Sequence, residues 1–75
     1  MNLSEKEREV LQYACQGLAY KEIAPKVGTS PGYVGNILER LRLRFGCANT
    51  AALTSLATEY FMSDKSHPDK VNKGR

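Results

Sequence analysis

The stretch from Ser30 to Gly46 carries the signals for both ends of one helix, which limits the folds open to this chain. The Ser30 hydroxyl suits an N-cap, where it accepts from a free first-turn N–H. Pro31 suits the first helical position, where its missing N–H costs nothing. Gly46 can take the left-handed conformation that ends a helix. Between them Val34, Leu38, Leu41 and Phe45 recur at steps of four, three and four, which makes one buried stripe. At about 100° per residue the opposite face carries Gly32, Asn36, Glu39, Arg40 and Leu43, with Arg42 and Arg44 on the flanks. Small, polar and cationic groups on a helix anchored by its other side suit a DNA major groove. An ordinary solvated face has the same composition, so the neighbouring segments decide.

A second, shorter helix is expected over roughly Tyr20–Val27, with Ile23, Ala24 and Val27 facing inward. Ala19 stands where a capping side chain would help. Pro25 falls inside, removing a donor and crowding the carbonyl four residues back, at about 3 kcal/mol in a regular interior. This helix is expected to bend, tighten or shorten there. Gly28-Thr29-Ser30 then turns the chain into the longer helix. A short helix, a tight turn with glycine and a longer helix form a helix-turn-helix, here about residues 20–39.

The flanks supply two more helices. Ser4 and Glu7 have capping-box spacing, and the early glutamates suit the positive end of a helix dipole. Val10, Leu11, Ala14 and Leu18 give the buried side of a helix over about Glu5–Gln16, which Gly17 ends. Asn49 is a good N-cap for a fourth helix running to about Phe61. Its Ala51, Ala52, Leu53, Leu56, Ala57, Tyr60 and Phe61 exceed what one face needs. Either it wraps deeper into its own core or it meets a copy of itself.

These elements make an all-α, four-helix domain over residues 2–62. Seventy-five residues, 41% of them hydrophobic, suffice for one small core. Residues 63–75 hold one apolar residue, Val71, and no periodicity, so a disordered polar tail is expected. The net charge of +3 is unevenly placed, with seven basic against six acidic side chains in residues 1–62 and four against two in the tail. Within the body three glutamates open the chain and three arginines cluster at 40–44, the local segregation a nucleic-acid surface needs.

Other classes find little support. Cys15 and Cys47 match no metal-ligand spacing and are expected as free thiols in a reducing compartment rather than a bridge. The only histidine, His67, lies in the tail, and neither cysteine has a base partner in the pattern. No enzyme, metal or cofactor is expected. No apolar run approaches a membrane span and no signal-peptide pattern opens the chain, so a cytoplasmic protein, nucleoid-associated when bound, is expected.

Leu3-Ser4, Glu7-Arg8-Glu9-Val10-Leu11, Gly17-Leu18, Lys21-Glu22-Ile23-Ala24, Gly28, Ser30-Pro31, Val34, Leu38, Leu41, Phe45-Gly46 and the Leu53 region together resemble the LuxR/GerE-type DNA-binding domain of bacterial transcription regulators. The resemblance covers about residues 2–61. It implies that the third helix enters the major groove and the fourth forms a dimer contact over inverted half-sites. The departures are Gly35 and Glu39, where basic or polar contacts are frequent, Ile37 in place of a common histidine, and Thr50 in place of an arginine.

The expected function is therefore transcription regulation on double-stranded DNA. Lys21, Ser30, Tyr33, Gly35, Asn36, Glu39, Arg40 and Arg44 are the candidate DNA-binding residues. Lys21 and Tyr33 are read as phosphate or sugar contacts, against a solvated lysine and a ring packed on its own fold. Asn36 can pair with adenine and Glu39 can accept from cytosine, while Arg40 and Arg44 suit phosphates. Gly32 and Gly35 weaken an exposed helix, either for close backbone approach to DNA or by chance. Ala52, Leu53, Leu56 and Tyr60 are the candidate homodimer surface. The alternative is an interaction module that keeps the fold, has lost base reading, and pairs with or inhibits another regulator.

Overall fold

The computed structural model describes residues 2–62, which form four helices: α1 (Glu5–Cys15), α2 (Tyr20–Val27), α3 (Pro31–Arg44) and α4 (Thr50–Met62). The expected tail, with His67, lies outside the described residues.

Three helices start on the cap the sequence offers. The Glu7 amide donates to Ser4 Oγ at 3.2 Å, and the Ser4 amide donates back to Glu7 Oε1 at 2.9 Å, completing a capping box. The Tyr33 amide donates to Ser30 Oγ at 3.2 Å, with Pro31 in the first turn. The Ala52 amide donates to Asn49 Oδ1 at 2.8 Å. At α2 the alanine cap has no acceptor, and Glu22 compensates in part by taking the Ala19 N–H at 2.7 Å. Helix α2 is not shortened by its proline but runs through Pro25 to Val27. The proline lacks only the donor for the Lys21 carbonyl, and both residues are exposed, so water can serve it.

The turn between α2 and α3 depends on Gly28, whose φ of 71° is a left-handed value. That conformation lets the Thr29 amide reach back to the Ala24 carbonyl at 2.9 Å. A side chain from α1 finishes the job, because Lys6 Nζ donates to the Val27 carbonyl at 3.0 Å.

Helix α1 packs against all three others and so does α3, whereas α2 and α4 do not touch. The core between them holds Val10 and Leu11 of α1, Ile23, Ala24 and Val27 of α2, Val34, Ile37, Leu38 and Leu41 of α3, and Leu53 and Ala57 of α4. Phe45, Ala14 and Leu18 pack against it part-buried. Ile37 corrects the comparison with the reading positions of the family: it is 1% exposed and belongs to the scaffold. Leu53, expected on a dimer surface, is fully buried in the core of its own chain and can offer nothing to a partner. No polar or charged side chain is buried among the described residues. Cys15 and Cys47 are free and part-buried. None of the described helices is long and apolar enough to cross a membrane.

Candidate nucleic-acid interface

With Val34, Ile37, Leu38 and Leu41 turned inward, the outer face of α3 is left to Gly32, Asn36, Glu39, Arg40 and Leu43, all exposed. Leu43 is 62% exposed. Among the described residues the Asn36 amide makes no hydrogen bond and Arg40 has no ion pair, so both are available to a ligand. Lys21, in the first turn of α2, is likewise exposed and without an ion-pair partner among the described residues. Tyr33 is 42% exposed on one flank of the face.

The remaining charges of α3 are committed within the fold. Arg42 Nε and Nη2 take one carboxylate oxygen of Glu39 each, and Arg42 Nη1 donates to the carbonyls of Cys47 and Ala48 at 3.1 and 3.2 Å. The Arg42 hydrogen bond holds the Glu39 carboxyl below its ordinary value and keeps it ionised. Glu39 is therefore not a lone negative charge facing phosphate, since each of its oxygens accepts one N–H from Arg42. A cytosine contact by Glu39 would be made by a carboxylate that Arg42 already holds, with its side chain 55% exposed.

Arg44 is drawn the other way. Its Nη2 donates to Glu7 Oε1 and to the Asn2 carbonyl, both at 3.0 Å, and its guanidinium lies 5.2 Å from the Phe45 ring centroid. This ties the end of α3 to the start of α1, while the Arg44 side chain stays 48% exposed. The Glu7 carboxyl lies below its ordinary value chiefly because it accepts the Ser4 backbone N–H, with Arg44 adding to the effect. Ser30 is occupied as the α3 cap. Gly35 is part-buried beneath the ring of Tyr20, a residue not among the candidates from sequence.

The other proposed surface is on α4. Ala52 is part-buried, while Leu56 and Tyr60 follow at steps of four and stand 41% and 37% exposed.

A short helix ended by a left-handed glycine and packed on a longer helix with a free polar face defines a helix-turn-helix domain. The family model for bacterial regulatory proteins of the luxR family, GerE, matches residues 1–57, from the start of the chain into α4. The chain belongs to that family of DNA-binding transcription regulators. No curated protein and no solved structure matches it significantly.

Proposed function

We propose that the domain regulates transcription by laying α3 in the major groove of duplex DNA, as one half of a dimer joined through α4. The observation that carries this reading is the outer face of α3, where Asn36 and Arg40 stand exposed with no side-chain partner among the described residues. In that placement Asn36 reads a base edge through its amide, most simply adenine N6 and N7. Arg40 and Lys21 hold phosphates, which position the helix without reading sequence. Tyr33 meets the sugar-phosphate backbone from the flank. On α4 the Ala52, Leu56 and Tyr60 stripe joins two copies, and two-fold symmetry then calls for an inverted repeat in the DNA.

One specific observation favours a second reading, an interaction module without base reading. Arg42 and Arg44 are spent inside the fold, which leaves α3 with the single unpaired cation Arg40 among the described residues. Selection from a random duplex library separates the two. Enrichment of an inverted repeat supports the regulator, and no enrichment from a folded dimer supports the module.

A further inference from the structure

Gly35 lies inside α3 at the border of its outer face, where a glycine weakens the helix relative to alanine. The surroundings give it a reason. A Cβ at this position would stand 3.3 Å from Cε2 and 3.6 Å from Cδ2 of Tyr20. One edge of the Tyr20 ring thus lies close against the α3 backbone, where an added methyl would crowd it by a few tenths of an ångström. The tyrosine belongs to the first residue of α2, yet its ring sits beside the face that α3 turns outward. It is also 42% exposed, so the contact with Gly35 covers only part of it.

The residues around the ring give it a task. Lys21 follows directly in the chain, exposed and without an ion-pair partner among the described residues. Tyr33 stands across the α3 face from Gly35, equally exposed, so two tyrosines bracket Asn36. A tyrosine joins an apolar body to a polar tip, which suits a sugar face and the phosphate beyond it. We propose that Tyr20 is a DNA-contacting residue, seated by Gly35, that packs on deoxyribose and donates its hydroxyl to a phosphate alongside α3. This rests on the DNA-binding reading above. Gly35 is then a positioning residue, serving DNA through Tyr20 rather than by direct approach.

A neutral hydroxyl releases no counterion, so its loss is distinguishable from the loss of a lysine. Tyr20→Phe is expected to weaken binding by about two- to tenfold, the worth of one hydrogen bond. The loss should be equal on preferred and unrelated duplexes, with the salt dependence and the thermal melt unchanged. Lys21→Ala, measured beside it, should flatten the salt dependence. Gly35→Ala displaces the ring and should weaken binding in the Tyr20 protein but add nothing in Tyr20→Ala. Unchanged affinity in Tyr20→Phe overturns the assignment, as does an equal effect of Gly35→Ala in both backgrounds. Those results would leave DNA binding itself standing. A folded wild type that binds no duplex at low salt would overturn the DNA reading and this assignment together.

Discussion

Arg44 and Glu7, 37 residues apart in sequence, meet at 3.0 Å and tie the last turn of α3 to the capping box of α1. The same Glu7 oxygen accepts the Ser4 amide, so one carboxylate serves a helix start and an interhelical contact. The aim of α3 is therefore set partly by a charge pair that its own sequence does not reveal.

That carboxylate makes stability depend on pH. Its folded pKa lies below the ordinary value of 4.5, so the stabilisation is complete above that value and is lost as pH falls through the folded one. Glu39, held down by Arg42, adds in the same direction. Thermal melts should show a falling midpoint below about pH 4.5, and Glu7→Gln should melt lower at neutral pH with a shallower acid fall. An unchanged acid fall in the variant would contradict the role given to Glu7.

Ile37 is a core residue in this fold, so Ile37→Ala should cost about 2–5 kcal/mol, as should Leu38→Ala beside it. Chemical denaturation measures this directly. A variant of undiminished stability and altered base preference would return Ile37 to the reading face.

Arg42 joins α3 to the loop before α4 through two carbonyls, and it neutralises Glu39. Arg42→Ala should lower the melting midpoint and also weaken duplex binding, because it frees a negative charge on the outer face. Glu39→Ala removes that charge and should restore binding in the double variant. Restoration of melting without restoration of binding would refute the electrostatic part.

The two leucines of α4 give opposite expectations. Leu56→Glu alters an exposed position and should yield a folded monomer in sedimentation, whereas Leu53→Glu buries a charge in the core and should unfold the chain. A wild type that is monomeric at high concentration, with and without DNA, would remove the dimer.

What could be read from the sequence was local. The caps at Ser4, Ser30 and Asn49, the stops at Gly17 and Gly46 and the turn at Gly28 depend on neighbours within a few residues, and all form as expected. The stripe of α3 was legible as well, though narrower than the real one. Ile37 lies at its edge, and a comparison of positions with other family members placed it on the wrong side. The long-range partners were not legible: nothing near Arg44 points to Glu7, and nothing near Gly35 points to Tyr20. Leu53 is apolar in either setting, so its depth depended on how α4 sits against α1 and α3.

If Arg40 and Asn36 face DNA while Arg44 serves the fold, salt-dependent duplex binding will separate the two arginines. Arg40→Ala should reduce the slope of log affinity against log salt by about one unit on every duplex. Arg44→Ala should lower the melting midpoint and leave that slope unchanged. Asn36→Ala should lose about 1–3 kcal/mol at the preferred site alone. Equal slope changes for the two arginines would contradict this division, and a folded wild type that binds no duplex even at low salt would contradict the reading of α3 as a DNA-binding helix.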